Sequence, residues 1–305
     1  MAAAGNKKAI YRFASLAEKV DLCLKNRAIV ARVVAKVLVD SPKASEMQIR
    51  GALLLELAGQ AALYPRGWYD PPPAGVGVLF AEASDNFARS KFPTLRTQPY
   101  WPSSKHVLTD ETVGMVYVSP VDKSSGIISD IGFNFYCGNN VDIQNHLAYC
   151  LDTVETIAEQ AEVGMPFNQL HKLAQNIVDG RGLHNDWMIT YNDPTRAANF
   201  GHSYPWTYQE MSDADKKILA SGDLNQLKEH IEKGRIFISP IEATAIPETI
   251  AFSIEARLGS RSDQQLPCGY YYAVVTFRNG QKKIVTNYNP IFNALNINYM
   301  RSKFE

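Results

Sequence analysis

The sequence predicts an α/β protein of the α+β type, in which two similar halves of helices and strands share one sheet. Two observations lead to this prediction. Apolar residues in each half first recur at three- and four-residue spacing, which is typical of amphipathic helices. Each helical region is then followed by aromatic-rich segments with high strand propensity. Because a repeated plan of this kind decides the architecture of the whole chain, it takes precedence over any single motif.

Two apolar stripes on either side of the break "DSPKAS" predict a pair of helices in the first half. Ser45 with Gln48 three residues later fits a capping box at the start of the second helix. The valine-rich run 29–39 could also form a buried strand, but the interleaved Arg32 and Lys36 favour a helix. The stripes consist of Ile29, Val33 and Val37, and of Ile49, Leu53 and Leu57.

The second half repeats this plan. Pro166 suits the first turn of a helix, and Gly180 lies where a helix C-cap belongs. The apolar stripes here consist of Leu147, Leu151, Val154 and Ile157, and of Phe167, Leu170, Leu173 and Ile177. Strands are predicted in "GVGVLFAEA", "GMVYVS" and "GIISDIGFNFY" of the first half, and in "DWMITY", "TIAFSIEARL" and "YYYAVVTFRNGQKKIVT" of the second.

The repeat also predicts the domain organisation. Residues 1–24 are expected to form an N-terminal helical extension, and residues 25–305 a single domain. Its first half covers about 25–140 and its second half about 141–305. The charged segment 211–240 is predicted to be a helical insertion, and a solvated surface excursion is favoured over a lid.

Composition narrows the functional classes. The chain has 31 basic and 31 acidic residues, a balance that argues against a nucleic-acid or anionic-membrane partner. No signal peptide is recognisable at the N-terminus, and no apolar run approaches the roughly 18 residues of a membrane span. The cysteines are far apart and form no CxxC pair, which favours free thiols and a cytoplasmic location. They are Cys23, Cys137, Cys150 and Cys268.

Two tandem helix-pair units on a curved, mostly antiparallel sheet resemble the pita-bread proteins: methionine aminopeptidase, aminopeptidase P, prolidase and creatinase. The resemblance covers about residues 25–300 and rests on the order and spacing of the elements. Metallopeptidases of this superfamily use Asp, Asp, His, Glu and Glu as metal ligands, in that order. The resemblance implies that Asp130 in "GIISDIGF", His202 in "GHS" and Glu255 in "FSIEARL" match the second, third and fourth of these positions.

The remaining ligand positions depart from the family pattern. Ser119 stands at the first Asp position, and Tyr271 at the fifth position, or Tyr270 if the register slips by one. Two cations held roughly 3.5–4 Å apart need several carboxylates to offset their charge, and here Asp130 and Glu255 alone are left. A dinuclear metal site is therefore not expected. A single metal on the three retained positions stays an alternative, and the prediction is that the protein has no cofactor.

Without metal, the retained residues predict acid–base chemistry. Like charges in a poorly solvated pocket cannot both ionise comfortably, so Asp130 and Glu255 should titrate together with His202, with one apparent pKa raised. His202 and Glu255 are predicted to be the general acid and base, with Asp130 orienting the imidazole or holding a substrate amine or guanidinium. Tyr271 could donate a hydrogen bond to a developing oxyanion, and Ser119 could bind nearby.

Three more residues are predicted to contact the substrate. Glu210 falls in the place of a His-Glu pair that follows the family histidine. Arg257 shares a strand face with Glu255, and the two could instead form a structural ion pair. Trp206 could shape the pocket, although ordinary packing is the simpler interpretation. The creatinase mechanism does not transfer, because Trp101 and Pro102 stand where creatinase carries its catalytic histidine.

The function predicted from these residues is metal-independent acid–base catalysis on a small amide, amidine or peptidic substrate. The reaction would be C–N hydrolysis or a related cyclisation or elimination. Two alternatives stay open: a non-catalytic binding module, and a single-metal hydrolase of the aminopeptidase type. The expected partners are a small amino-acid-like substrate and a second copy of the chain in a homodimer, with neither nucleic acid nor membrane.

Overall fold

A seven-stranded, mostly antiparallel sheet forms the centre of the computed structural model, which describes residues 14–69, 75–186 and 198–305. The strand order is β2-β3-β5-β8-β7-β6, with β9 pairing with β8, and β1 and β4 pair separately. The strands are β1 (Leu63–Tyr64), β2 (Val76–Glu82), β3 (Thr112–Val118), β4 (Val121–Asp122), β5 (Ile131–Tyr136), β6 (Leu183–Asn185), β7 (Ile250–Ser260), β8 (Gly269–Arg278) and β9 (Gln281–Val285).

Two helix pairs flank this sheet, and the predicted α+β class is confirmed. The helices are α1 (Leu16–Asp40), α2 (Glu46–Ala58), α3 (Val141–Glu159), α4 (Phe167–Gly180), α5 (Asp213–Ser221), α6 (Leu224–Lys233) and α7 (Asn289–Ala294). Helix α1 contains the run 29–39, so the alternative of a buried strand there is wrong. The predicted strand "DWMITY" lies, from residue 187 onward, outside the described residues. No helix of the described ranges is long and apolar enough to cross a membrane.

Side-chain caps explain where the helices begin. Ser45 and Gln48 form the predicted capping box at the start of α2, with each side chain bonded to the other residue's backbone. Ser15 and Glu18 form a second capping box, which starts α1 well before residue 25. The boundary predicted between residues 24 and 25 therefore lies inside one continuous helix, because the polar residues of its first turns do not interrupt it.

Alternation along β7 and β8 separates the core from the site. Tyr271 and Ile254 belong to one face, which packs in the main hydrophobic core. Glu255 lies opposite Tyr272 in the antiparallel register, so these two side chains share the other face with Tyr270. Strand parity thus decides which tyrosines can reach the carboxylate.

Residues of helix α1 pack in the hydrophobic clusters on both sides of the sheet. Its later residues join the main core, whereas Val20 and Cys23 pack with Tyr204 and Val274 on the face that carries Glu255. On this second side Arg27 is fully buried, and its Nη2 donates to the carbonyl oxygen of Thr286 at 2.9 Å. The first half of α1 therefore forms part of the support beneath the site.

A buried ion pair attaches the long segment between β2 and β3 to α2. The Glu46 carboxylate is fully buried and accepts hydrogen bonds from the backbone N–H groups of Phe80 (2.6 Å) and Ser103 (2.8 Å). Arg89 Nη2 donates to both Glu46 oxygens, at 2.9 and 3.0 Å. The segment fixed in this way includes Leu95, which lines the cleft described below.

Replacing Arg89 by methionine is expected to lower the free energy of unfolding by about 3 kcal/mol, because it leaves the Glu46 carboxylate buried without its countercharge. Urea denaturation would measure the change. The matched control is Lys36→Met, which breaks the exposed ion pair with Glu56 and should leave the midpoint unchanged. Equal midpoints for the two variants would contradict the structural role given to the Glu46–Arg89 pair.

Candidate active site

A small cleft of about 40 Å³, partly open to solvent, lies on the face of the sheet that carries Glu255. Most of its wall is aromatic, and few polar side chains enter it. The aromatic residues are Trp68, Tyr69, Tyr117, Phe237, Tyr270 and Tyr272. The other polar residues of the wall are Asn199, His202, Arg235 and Glu255. An apolar cleft with a few converging polar groups is the usual form of a small-molecule site.

His202 is held in the cleft by its backbone. Gly201 before it has a φ of +123°, and a Cβ atom there would lie 2.1 Å from the carbonyl oxygen of Ser253, so the position requires glycine. The N–H of His202 donates to Ser253 Oγ at 3.2 Å, and the N–H of Ser253 donates back to His202 O at 2.9 Å. The Trp68 ring packs edge-on against the imidazole, with centroids 5.7 Å apart.

The imidazole faces a carboxylate on one side and a carbonyl on the other. His202 Nδ1 lies 3.0 Å from the carbonyl oxygen of Ser203, and His202 Nε2 lies 3.6 Å from Glu255 Oε1. Because the carbonyl can only accept a hydrogen bond, Nδ1 carries the proton of the neutral ring and Nε2 directs its lone pair toward Glu255. Burial, assisted by the positive Arg235, lowers the pKa of His202 well below its usual value.

Glu255 is held by tyrosines. The hydroxyl of Tyr270 lies 3.4 Å from Glu255 Oε2 and 2.7 Å from the hydroxyl of Tyr272. Burial raises the pKa of Glu255, and the hydrogen bond from Tyr272, the positive Arg235 and the hydrogen bond from Tyr270 partly oppose that rise. Because the pKa of His202 is lowered and that of Glu255 is raised, the imidazole and the carboxylate can share one proton. The pair then supplies an acid and a base at one place.

Asp130 lies beneath the cleft and is fully buried. Its Oδ1 accepts a hydrogen bond of 2.8 Å from Trp68 Nε1, while Oδ2 has no hydrogen-bond partner within the described residues. Burial raises the pKa of Asp130 to about 8, an effect that the Trp68 hydrogen bond opposes and the nearby Glu255 reinforces. The expectation that one carboxyl pKa would be raised therefore agrees with the structure.

The predicted placement of Tyr271 in the pocket is wrong. Its side chain lies on the opposite face of β8, fully buried in the main core, and its hydroxyl contacts the sulfur of Met300 at 3.8 Å. The reason is strand alternation, which turns Tyr270 and Tyr272 toward Glu255 and turns Tyr271 away. The alternative given in the sequence analysis, with Tyr270 in place of Tyr271, therefore agrees with the structure. Tyr270 and Tyr272 both line the cleft.

Ser119 supports the cleft from behind its wall. Its Oγ accepts a hydrogen bond of 3.3 Å from the N–H of Tyr69 and lies 3.3 Å from the carbonyl oxygen of Gly75, to which it donates. Both hydrogen bonds join Ser119 to backbone groups, so the predicted contact with substrate is corrected. Ser119 instead helps to place Tyr69, whose ring lines the cleft.

The other three predicted contact residues lie elsewhere. Glu210 is largely exposed and reaches Lys19 Nζ at 3.4 Å. Trp206 packs against Gly126, whose added Cβ would lie 2.9 Å from the indole. Arg257 lies over the Phe92 ring at 4.5 Å, with its Nε 3.7 Å from Asp186 Oδ2. Their predicted substrate contacts are corrected, because none of the three side chains lines the cleft.

Arg235 and Phe237 are pocket residues that sequence reasoning missed. They follow α6, at the end of the segment predicted to be a solvated excursion, and the Arg235 Cζ lies 4.4 Å from the Trp68 ring centroid. The N–H of Ser203 donates to the carbonyl oxygen of Ile236 at 2.8 Å, which joins this segment to the residue beside His202. Nothing in the local pattern "KGRIFIS" indicates this docking, since it depends on tertiary pairing.

The donor set does not fit the pair of metal ions that pita-bread peptidases carry. Two of the five family positions hold Ser119 and a tyrosine, and Asp130 and Glu255 already accept hydrogen bonds from tryptophan and tyrosine. A positive guanidinium, that of Arg235, stands in the same cleft and would repel cations. Within the described ranges, no group of three or more His, Cys, Asp or Glu side chains is arranged to hold a metal.

The fold and the strand order define the class: the chain has the pita-bread fold, and the predicted resemblance is confirmed. It superimposes on dipeptidase PepE from Mycobacterium ulcerans with a TM-score of 0.58 at 14% identity, covering 90% of this chain and 59% of the dipeptidase. For methionine aminopeptidase from Thermotoga maritima the TM-score is 0.57 at 13% identity, with 90% and 97% covered.

A third similar structure is the prolidase from Pyrococcus horikoshii OT3, with a TM-score of 0.56, 12% identity, and 88% of this chain and 61% of the prolidase covered. The chain therefore spans less than two thirds of the dipeptidase and the prolidase. No protein-family model and no curated protein matches the sequence. At these identities the likeness establishes the fold alone.

Proposed function

We propose that this protein is an enzyme that uses His202 and Glu255 for metal-independent acid–base catalysis on a small amide, amidine or peptidic substrate. The reaction is hydrolysis of a C–N bond or a related cyclisation or elimination. One observation carries the proposal: His202 Nε2 and Glu255 Oε1 lie 3.6 Å apart in an aromatic cleft, with both pKa values displaced toward the neutral forms. The similar structures are a dipeptidase, a methionine aminopeptidase and a prolidase, which favours the peptidic substrate class.

For hydrolysis, the arrangement supports a simple sequence of proton transfers. Glu255 takes a proton from water as the water oxygen bonds to the substrate carbon. One hydroxyl of the pair Tyr270 and Tyr272, whose oxygens lie 2.7 Å apart, turns its single O–H from the pair to the substrate oxygen as that oxygen gains negative charge. The proton then passes to the leaving nitrogen as the C–N bond breaks, with His202 Nε2 stabilising the proton in transit.

Asp130 acts in this scheme as a positioning residue. Its carboxyl holds Trp68 Nε1 at 2.8 Å, and the Trp68 ring in turn packs edge-on against His202. With a pKa of about 8 the carboxyl is mostly protonated at neutral pH, so it adds little negative charge beside Glu255. This form keeps Glu255 available as the base, since a second full charge nearby would raise its pKa further.

A turnover screen tests the proposal directly. Protein purified in chelator would be incubated with dipeptides, N-acyl amino acid amides and small amidines, and products would be followed by mass spectrometry. We expect turnover that is unchanged by chelator or by added Mn²⁺ or Zn²⁺, because the proton-transfer groups are carried by the chain itself. Activity that disappears in chelator and returns with one equivalent of metal would instead establish the single-metal hydrolase.

A homodimer in the cytoplasm completes the proposal. Native mass spectrometry would test the subunit count, with a species at twice the 34.0 kDa chain mass as the expected result. The same spectrum would reveal any retained small molecule. A single-chain species at all concentrations would remove the dimer from the proposal without affecting the chemistry of the cleft.

A further inference from the structure

Side chains help to join β5 to β8, next to the cleft residue Tyr272. The register of these two strands contains one residue pair, Phe133 with Tyr271. Beside this pair, the N–H of Tyr272 donates to the hydroxyl of Tyr288 at 2.6 Å. Arg27 Nη2 donates to the carbonyl oxygen of Tyr272 at 3.4 Å. Polar side chains, that of Arg27 in α1 included, therefore reach the junction between the two strands.

Three fully buried side chains carry polar atoms that have no hydrogen-bond partner in the described part of the chain. These atoms are Nε and Nη1 of Arg27, Oδ2 of Asp130 and the hydroxyl oxygen of Tyr204. Asp130 directly precedes β5, and its Oδ1 accepts a hydrogen bond of 2.8 Å from Trp68 Nε1. A buried polar group without a partner is costly, so such groups are usually satisfied by an ordered water molecule.

The same three side chains lie within electrostatic reach of one another. Burial is the largest cause that raises the pKa of Tyr204, which Asp130 raises further and Arg27 lowers. Burial likewise raises the pKa of Asp130 most, and Arg27 is among the groups that oppose this rise. Packing agrees, because Cys23, one helical turn before Arg27 in α1, lies in one hydrophobic cluster with Tyr204 and Trp68. The unpartnered atoms of Arg27, Asp130 and Tyr204 therefore belong to one buried region between α1 and the cleft.

We propose that at least one ordered water molecule is bound in this region, where it accepts a hydrogen bond from Arg27 and makes hydrogen bonds with Asp130 and Tyr204. Water suits this set because it can both donate and accept, whereas a guanidinium can only donate. A buried water molecule makes about three hydrogen bonds, which matches the three side chains present. A cation would be repelled by the positive Arg27, and an anion would lie near Asp130, which is itself within electrostatic reach of Glu255.

This hydration site goes beyond the proposed function, because it binds solvent instead of substrate. It also joins α1 to the cleft. The carboxyl of Asp130 holds Trp68 Nε1 at 2.8 Å, and the Trp68 ring packs edge-on against His202 with centroids 5.7 Å apart. The water on Asp130 Oδ2 holds the second oxygen of the same carboxyl, so the carboxyl is fixed from both sides.

A high-resolution crystal structure of the wild-type protein tests the proposal directly. We expect a density peak at hydrogen-bonding distance, about 2.6–3.2 Å, from Arg27 and from either Asp130 Oδ2 or the Tyr204 hydroxyl. A well-ordered region without such a peak would overturn the proposal. An anomalous peak at that place in crystals grown with sodium bromide would also overturn it, because the site would then bind an anion.

The stability of two matched variants gives a second test in solution. Tyr204→Phe keeps the ring and removes a partner of the water, so urea denaturation is expected to give an unfolding equilibrium constant about fivefold above that of the wild type. The control is Tyr271→Phe, at another fully buried tyrosine, whose hydroxyl contacts the weakly accepting sulfur of Met300 at 3.8 Å. This control should leave the constant within about twofold of the wild type.

The direction of the change distinguishes a hydrated hydroxyl from a dry one. Removing a buried hydroxyl that has no partner would stabilise the fold, because its desolvation penalty disappears. An unfolding constant for Tyr204→Phe at or below that of the wild type would therefore overturn the proposal, and so would equal increases in both variants. Neither measurement uses a substrate. A negative turnover screen would thus leave the hydration site standing, and its own failure would leave the chemistry of His202 and Glu255 untouched.

Discussion

Replacing Glu255 by glutamine is expected to lower kcat by about two to four orders of magnitude, the usual contribution of a positioned acid–base group. The amide has nearly the same shape and can still accept hydrogen bonds from Tyr270 and Tyr272, so the fold should be retained. It cannot take a proton from water. The measurement is kcat on a substrate found in the turnover screen.

The pH dependence should change in the same variant. Because burial raises the pKa of Glu255, wild-type turnover is expected to fall as the pH drops through that raised pKa and the base becomes protonated. The acid limb should disappear from the residual activity of Glu255→Gln. An unchanged acid limb in the variant would assign the limb to another group and argue against Glu255 as the base.

Two further variants sharpen this test. His202→Gln should lower kcat to a similar extent, and the double variant should lose little more, because groups that share one proton act as a unit. Glu210→Gln is the matched control, since that carboxylate reaches Lys19 outside the cleft and should leave kcat unchanged. Additive losses in the double variant would show that His202 and Glu255 act independently.

The fold could be predicted from sequence because its signals are local and repeated. The apolar stripes of α2 and α4 and the capping residues at Ser45 lie within one helix each, so they can be recognised without tertiary contacts. The strand segments were likewise recognisable from their composition. The start of α1 at Leu16 was harder to recognise, because the first part of the helix carries buried polar residues such as Lys19 and Asn26, which an apolar pattern does not count as core.

The site could be predicted only in part. His202, Glu255 and Asp130 were predicted because each matches a family motif. The structure places His202 and Glu255 in one cleft and Asp130 in contact with Trp68 of its wall. Tyr271 was chosen by counting along the chain, and a one-residue error in a strand reverses the face of the sheet. Arg235 carried no signal, because its place beside Trp68 depends on how the insertion docks.

The buried Asp130 should make wild-type stability depend strongly on pH. Its pKa is raised from 3.8 to about 8 in the folded protein, so between those values the folded state holds a proton that the unfolded state has released. The stabilisation is complete below the unfolded pKa and is lost as the pH rises through the folded pKa. Displacing the pKa this far corresponds to a loss of about 5 kcal/mol of unfolding free energy between about pH 4 and pH 8.

Asp130→Asn should remove the part of this dependence that Asp130 causes, because the amide does not titrate and its oxygen can still accept the Trp68 hydrogen bond. The raised pKa of Glu255 leaves a decline of the same sign in both proteins. Urea denaturation of both proteins across the pH range would measure it, with the wild type declining relative to the variant as the pH rises. Parallel profiles would show that the Asp130 pKa is not raised.

Asp152 provides a control of opposite sign. Burial acts to raise its pKa, but hydrogen bonds from Lys303 and Arg181 outweigh burial and lower the pKa below its usual value. Its stabilisation is therefore present above the unfolded pKa and is lost as the pH falls. Asp152→Asn should thus flatten the acid side of the stability profile and leave the alkaline decline in place, whereas Asp130→Asn should do the reverse. The alkaline decline caused by Asp130 would therefore report on the carboxyl that holds Trp68, whose ring packs against His202.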